Sequence, residues 1–121
     1  TLEYSQRLRD GSRAALATPD KSTGRVLLEG AASGGAQAAG RQAGAIAPGL
    51  IADLAALDDH AISLTGREGD ALLDSWIFAG DDRVVSDVWS GGRHLVKDGR
   101  HIAREAIEAA WRAAAGRLTA S

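Results

Sequence analysis

Apolar side chains recur at helical spacing at the amino end of the chain. Tyr4, Leu8 and Leu16 fall on one face of a helix, and charged side chains occupy the other face. The pattern predicts one amphipathic helix over residues 1 to about 16, with Gly11 in its interior. No capping residue stands ahead of this pattern, so we expect the chain to be a piece of a longer protein.

A run of small residues follows from 24 to about 39 and lacks the alternation of a strand. We predict a second helix here, capped by Ser22 or Thr23, because either hydroxyl can accept from the first free amides. Gly30 and Gly34 form a GxxxG pair, which also occurs where membrane helices dimerise. Charged residues flank and interrupt the run, so close packing against a neighbouring helix or sheet is the favoured interpretation.

Short apolar runs between turn residues predict strands in the second half of the chain. Residues 47–50 place Pro before Gly, the order that suits a type II turn, and a strand is expected to follow over 52–57. Residues 83–90 and 93–96 are rich in Val. The Gly pair between these two segments lets the backbone reverse, so they are predicted to form a hairpin.

Two further elements complete the predicted order. Residues 65–69 are typical of a mobile loop, after which Asp70 can cap a short helix that Gly80 ends. An Asp-Gly turn at 98–99 leads into a helix over 102–118. The apolar stripe of this last helix consists of Ile107, Trp111, Ala114 and Leu118. Its oppositely charged pairs, four residues apart, are Arg104 with Glu108 and Glu108 with Arg112.

Composition narrows the class of protein. The chain contains 25 Ala and 15 Gly but few aromatic residues, so small side chains must do much of the packing. Trp89 and Trp111 are expected as core anchors instead of a stacking platform for bases. The net charge of −2 and the scattered Arg residues disfavour a nucleic-acid-binding face, and no apolar run is long enough to span a membrane. We expect a cytoplasmic protein with no nucleic-acid or membrane partner.

The histidines do not form a recognisable metal-binding motif. Cys is absent, which removes thiolate chemistry and Cys-based zinc sites. His60, His94 and His101 are too far apart in the chain for the closely paired His motif of a zinc hydrolase. Asp58 and Asp59 precede His60, but neighbours on an extended chain point in opposite directions, which favours a polar loop. His94 and His101 flank a turn, and ordinary surface histidines are the favoured interpretation.

Other polar pairs also have an ordinary structural interpretation. Ser75 follows Asp74, but it lacks the glycine elbow of a nucleophilic serine and has no His nearby in sequence. Asp81 and Asp82 stand where a helix gives way to a strand, so a solvated turn is expected there more than an acid and a base. We therefore assign no catalytic residue and no metal ligand to this chain, and its substrate-binding residues are unknown.

Two stretches of the chain carry a resemblance to a known superfamily. Residues 44–58 resemble the strand that returns from the barrel to the small β-sandwich of amidohydrolase-superfamily enzymes, and residues 88–99 resemble the hairpin that ends that sandwich. The matching positions in the first stretch are Ile46, Gly49, Ala52, Asp53, Leu54 and Asp58. Those in the second stretch are Val88, Trp89, Gly91, Gly92, Arg93, Val96, Asp98 and Gly99.

Residues 2–10 and 70–80 carry a more specific similarity. Their sequences, Leu-Glu-Tyr-Ser-Gln-Arg-Leu-Arg-Asp and Asp-Ala-Leu-Leu-Asp-Ser-Trp-Ile-Phe-Ala-Gly, resemble those of the formimidoylglutamate deiminase family, which acts in histidine breakdown. The similarity spans nearly the whole chain. It implies that the chain is the carboxyl-terminal quarter or so of such an enzyme.

The resemblance implies an α+β fold class. Residues 1–43 would be the last helices of an amidohydrolase TIM barrel, and residues 44–121 would be returning strands of the β-sandwich with a short helix and a C-terminal helix. The parent would bind one zinc ion through barrel residues that precede this segment, and would lower the pKa of the water on that zinc. It would hydrolyse N-formimidoyl-L-glutamate to N-formyl-L-glutamate and ammonia.

The same resemblance sets the expected partners and leaves alternatives open. The segment alone would be inactive and would pack on the remainder of the barrel, while the parent would bind a small-molecule substrate and form a homodimer. One alternative is the C-terminal part of another amidohydrolase-superfamily deaminase, acting on a purine or a pterin. Another is a non-catalytic association module, because exposed faces around residues 30–39 and Trp89 would be expected to bind a partner.

Overall fold

Residues 2–119, which the computed structural model describes, form α-helices and an antiparallel sheet. The helices are α1 (Leu2–Asp10), α2 (Thr23–Ala38), α3 (Gly69–Ala79) and α4 (Arg104–Thr119). The strands are β1 (Leu54–Leu57), β2 (Val85–Ser90), β3 (Arg93–Lys97) and β4 (Arg100–His101), and short 3-10 helices lie at Ile62–Leu64 and Asp82–Val84. The predicted mixture of helices and strands is confirmed. The division into barrel residues 1–43 and sandwich residues 44–121 stays a prediction, and Thr1, Ala120 and Ser121 lie outside the described residues.

The first helix is shorter than predicted. α1 ends at Asp10, and Gly11 follows with a positive φ of 62°. Glycine adopts this left-handed conformation without steric cost and commonly ends helices. Residues 13–16 then form a turn, and the Ser12 hydroxyl accepts from the Ala14 amide at 3.2 Å. The predicted continuation of the helix to residue 16 is therefore wrong, because apolar spacing does not reveal a break at glycine.

The second helix forms where the run of small residues predicts it. The Ser22 hydroxyl accepts from the Arg25 amide at 3.2 Å, which confirms Ser22 as the N-cap. Gly30 and Gly34 face open space, and the close approach occurs instead at Gly44, whose loop passes against the backbone of α2. No helix within residues 2–119 is both long and apolar enough to cross a membrane.

The turn that leads into the sheet has the predicted geometry. The Leu50 amide donates to the Ala47 carbonyl at 3.2 Å. Gly49 has a φ of 85°, as the third position of a type II turn requires. β1 begins at Leu54, slightly later than the pattern predicts.

The strands pair in the order β1-β2-β3-β4, and each pair is antiparallel. Leu54 of β1 lies opposite Trp89 of β2. Gly91 and Gly92 connect β2 to β3 with φ angles of 57° and 76°, values that suit a tight hairpin turn. The predicted hairpin is confirmed.

The fourth strand is an addition to the predicted order. Asp98 and Gly99 turn the chain with φ angles of 48° and 70°, where the Asp-Gly pair predicts a turn. Arg100–His101 then pairs with β3, and His101 lies opposite Val96. Two residues are too few to carry a strand pattern, so the sequence does not predict β4.

α3 begins differently from the prediction. Its N-cap is Glu68, which makes no side-chain capping bond, and Asp70 lies inside the first turn. The prediction that Asp70 caps α3 is wrong, because its carboxylate accepts from the Ser22 amide of a different helix. Gly80 follows the last residue of α3, as predicted.

The core of the described residues is small. Leu64 and Val84 are its buried apolar side chains, and Thr23 is its buried polar residue. α4 buries none of its residues, and Trp111 is 69% exposed, so the prediction that Trp111 anchors the core is wrong. Trp89 is half-buried in the sheet. Helical spacing identifies side chains that share a face but not whether another element covers that face.

Candidate functional site

Two carboxylates of α3 meet the amino end of α2. Asp70 Oδ2 accepts from the Ser22 amide, and Asp74 Oδ1 accepts from the Gly24 amide, both at 2.7 Å. Residues four apart lie on one face of a helix, which lets both carboxylates reach the same neighbour. The free amides at the start of a helix attract negative charge, so these bonds fasten α3 to α2.

Asp70 is held in its ionised form. The Ser22 amide and then the Arg25 guanidinium hold the pKa of Asp70 below its ordinary value. Arg25 forms an ion pair with Asp70 and also approaches Glu29 at 3.5 Å. A carboxylate with these partners is suited to a structural role and not to donating a proton near neutral pH.

A cleft of about 450 Å³ opens beside this junction, between α1, α2 and α3. Arg7, Arg13 and Arg67 line it, together with Phe78 and the hydroxyl-bearing Ser75. The Arg7 Cζ lies 4.5 Å from the centroid of the Phe78 ring, within the range of a cation–π interaction. A cleft of this size can hold a small molecule, and the guanidinium groups on its wall make it the candidate site of the described chain.

The sequence gives only weak signals of this cleft. Its three Arg residues come from α1, from the turn after α1 and from the segment before α3, so no local motif contains them. Ser75 lines the cleft, but no histidine does, and the arrangement offers that serine no base. Acids also stand near these arginines in the sequence, such as Asp10 before Arg13 and Glu68 after Arg67, so the charge pattern alone gives no signal of the cleft.

The Asp58, Asp59 and His60 trio forms an exposed turn. The His60 amide donates to the Asp58 carboxylate at 2.9 Å, and His60 Nε2 lies 3.6 Å from Asp59 Oδ1. The side chains of His60 and Asp59 are almost fully exposed. These contacts hold the turn together and do not create an enclosed ligand set.

His94 lies in a polar pair on the sheet. Its Nε2 is 2.6 Å from Asp87 Oδ1, and its ring stacks on Trp89 with centroids 4.3 Å apart. Hydrogen bonds from Ser86 and then His94 lower the pKa of Asp87. His94 is half-buried, and is therefore more enclosed than the surface histidine that the sequence predicts.

The other histidine and the acidic pair have separate local roles. His101 Nδ1 accepts from the Ala103 amide at 3.1 Å, just before α4 begins. The Asp81 carboxylate accepts from the Arg83 amide at 3.0 Å and pairs with the Arg83 guanidinium, which lowers the pKa of Asp81. Asp82 follows in the same turn, so this pair of acids lies where the sequence places a turn.

The described residues do not fit a zinc centre. Within residues 2–119, no group of three or more His, Asp or Glu side chains could hold a metal ion. A zinc site takes three or four converging ligands, and His60, His94 and His101 have the separate surroundings given above. The zinc that the resemblance implies therefore finds no ligand set in these residues.

The two stretches that resemble the amidohydrolase sandwich meet at Asp53. Its Oδ1 accepts from the Gly91 amide at 2.8 Å, and the Gly92 amide donates to the Ala52 carbonyl at 2.9 Å. Arg41 Nη2 lies 2.7 Å from Asp53 Oδ2. The Gly91 N–H and then Arg41 lower the pKa of Asp53. Asp53 therefore fixes the hairpin against the segment before β1.

Comparisons with known proteins identify the class. No family model matches the chain. The structure is similar to a crystal structure of an amidohydrolase from Brucella melitensis, with a TM-score of 0.78, 43% sequence identity and coverage of 98% of this chain. The chain is therefore a segment related to the amidohydrolases. It is also 50% identical over 105 residues, 86% of its length, to a formimidoylglutamate deiminase from Pseudomonas aeruginosa.

These relatives are much longer than this chain. The chain covers 26% of the Brucella chain and 23% of the Pseudomonas protein, so it spans about a quarter of each. Both comparisons support a relationship of this chain to the amidohydrolase family. The resemblance to formimidoylglutamate deiminase that the sequence predicts is confirmed.

Proposed function

We propose that this chain is the carboxyl-terminal structural part of a zinc-dependent formimidoylglutamate deiminase that acts in cytoplasmic histidine breakdown. The observation that carries the proposal is the 50% identity over 105 residues to a protein of that name. That match covers 86% of the chain. The separate structural similarity to a solved amidohydrolase supports the same position within a longer enzyme.

In the proposed reaction, water adds to the formimino carbon of N-formimidoyl-L-glutamate. The bond from that carbon to the terminal nitrogen breaks, and one water is consumed as N-formyl-L-glutamate and ammonia leave. The described residues offer no ligand set for zinc, so we assign the metal and the proton-transferring groups to the rest of the parent. This segment supplies no step of the chemistry.

The contacts of the chain support a scaffolding role. Asp53, Asp70 and Asp74 each accept a hydrogen bond from a backbone amide of another segment, at 2.7 or 2.8 Å. Carboxylates used in this way hold elements of the fold together. The proposed role is to complete the fold of the parent around a centre that other residues build.

The proposed partners are the remainder of the barrel and a second copy of the parent. Ile107 and Trp111 of α4 expose most of their side chains on one face of the helix. Exposed apolar patches of this kind mark surfaces that another protein segment covers. The barrel is the first candidate for that segment, and the homodimer is a further proposal for the parent.

Turnover by purified proteins tests the function. The longer parent should release ammonia from N-formimidoyl-L-glutamate, should bind one zinc ion by metal analysis, and should leave guanine unchanged. The 121-residue chain should show neither turnover nor stoichiometric zinc. Guanine as the substrate of the parent would assign it to another deaminase of the superfamily. Turnover with bound zinc in the 121-residue chain would overturn the scaffolding role.

A further inference from the structure

The cleft between α1, α2 and α3 is lined by more guanidinium groups than carboxylates. Arg7, Arg13 and Arg67 line the cleft, which has a volume of about 450 Å³. The carboxylate among its lining residues is that of Asp74, whose Oδ1 already accepts from the Gly24 amide at 2.7 Å. The lining therefore carries an excess of guanidinium groups over carboxylates.

Arginines elsewhere in the described chain are mostly paired. Carboxylates form ion pairs with Arg9, Arg25, Arg41, Arg83, Arg100, Arg104 and Arg112. Arg13 and Arg67 form no ion pair with residues 2–119, although both line the same cleft. Arg93 and Arg117 are likewise unpaired within that range, but neither lines the cleft. The cleft thus collects two of the chain's unpaired cations.

Two further features of the cleft point to a bound acceptor. Thr23 lines it and is only 5% exposed, and its hydroxyl makes no hydrogen bond to the part of the chain that the structure describes. A buried hydroxyl normally has a partner, so its donor is available to a ligand. Arg7 lies over the Phe78 ring, which holds a third guanidinium at the cleft wall.

We propose that this cleft binds a small oxyanion, carried by a carboxylate or a phosphate group, between Arg13 and Arg67. A guanidinium presents paired N–H groups whose spacing matches the oxygens of either anion. The hydroxyl groups of Thr23 and Ser75 donate to the remaining oxygens. The proposal concerns binding alone, and it stands or falls independently of the deiminase activity.

Isothermal titration calorimetry of the 121-residue chain at low ionic strength tests the site. The probes are inorganic phosphate and the dicarboxylate glutarate, each titrated against the wild type and two double variants. Arg13→Gln with Arg67→Gln should weaken binding about tenfold or more, because it removes charge-assisted hydrogen bonds. The matched control, Arg93→Gln with Arg117→Gln, removes the same charge from unpaired arginines outside the cleft and should bind like the wild type.

The two probes and two further variants make the outcome decisive. Tighter binding of phosphate identifies a phosphorylated ligand, and tighter binding of glutarate identifies a dicarboxylate. Thr23→Val should weaken binding several-fold with an unchanged circular dichroism spectrum. If the cleft double variant does not fold, Arg13→Lys with Arg67→Lys keeps the charge and should still weaken binding. Failure of the wild type to bind either probe, or equal weakening in the cleft and control variants, would overturn the proposal.

Discussion

Residues 22–101, which we call the packed middle, and the helix α4 are neighbours in the chain but are held in different ways. In the packed middle, contacts join residues that are distant in sequence, such as Asp53 with the Gly91 amide at 2.8 Å. In α4, two ion pairs run along the helix itself, from Arg104 to Glu108 at 2.6 Å and from Arg112 to Glu108 at 3.3 Å. The predicted pairs of α4 are thus confirmed.

Burial follows the same division. The buried side chains of the described residues, Leu64, Val84 and Thr23, all belong to the packed middle, whereas α4 buries none of its residues. Near-neighbour ion pairs and good helix formers can specify a helix, but burial of its apolar face needs a second element. Substitutions should therefore destabilise the packed middle strongly and α4 weakly.

Leu64→Ala should have the largest effect on the packed middle. Leu64 is 3% exposed, and its truncation leaves a cavity that should lower the free energy of unfolding by about 3 kcal/mol. Ile62 lies in the same 3-10 helix and is 94% exposed, so Ile62→Ala should change that free energy by less than about 0.5 kcal/mol. Urea unfolding followed by circular dichroism measures both, and equal losses would contradict the burial of Leu64.

Gly24→Ala tests the junction between α2 and α3. An added Cβ would overlap the Asp74 carboxylate and lie 3.0 Å from the backbone N and Cα of Asp74, so the carboxylate must move and the two helices must shift apart slightly. We expect a loss of about 2 kcal/mol in the free energy of unfolding. Gly30→Ala is the matched control, because Gly30 lies in α2 with open space around it, and alanine should there add roughly 0.5 to 1 kcal/mol. A more stable Gly24→Ala protein would refute the close approach.

Turns are the part of the packed middle that the sequence predicts well. The Pro48–Gly49 pair and the Gly91–Gly92 pair each supply a positive φ that a specific turn requires, and both turns form where predicted. This information is local, because the conformational freedom of glycine does not depend on distant residues. The strands β2 and β3 on either side of the Gly91–Gly92 turn follow from it.

Contacts between elements are the part that the sequence does not predict. Asp70 has the residue type of a cap for its own helix, yet it accepts from the Ser22 amide of α2, a contact set by the packing of two helices. The arginine-lined cleft is likewise built from three separate segments. The stripe that includes Trp111 was predicted as a face, but a periodic pattern carries no information about what lies against it.

The pH dependence of the stability of the packed middle tests the contact that Asp53 makes with the hairpin. Folding lowers the pKa of this carboxyl, chiefly through the Gly91 amide and then through Arg41. A lowered pKa stabilises the fold above the unfolded value, near 4, and this contribution is lost as the pH falls through the folded value. Asp53→Asn should therefore lower the urea midpoint at pH 7, by less than Gly24→Ala does, and should have a smaller effect below about pH 4.

The control for this substitution is Asp59→Asn, because the Asp59 side chain is almost fully exposed. It should leave the urea midpoint nearly unchanged at both pH values. An Asp53→Asn effect of equal size at neutral and acid pH would show that the loss of the charge is not the cause. Asparagine retains one acceptor oxygen. The contact between residue 53 and the hairpin would then depend on the shape of the side chain and not on its charge.

Trp111→Ala should have the smallest effect in the 121-residue chain, and it sharpens the comparison with α4. Trp111 is 69% exposed, so its removal should change the free energy of unfolding of that chain by less than about 0.5 kcal/mol. In the longer parent, where the barrel is proposed to cover this face, the same change should cost about 3 kcal/mol. Leu64→Ala is the control, because its cost should be similar in both proteins. An equally small effect of Trp111→Ala in both would mean that α4 stays uncovered, and the barrel contact would lose its support.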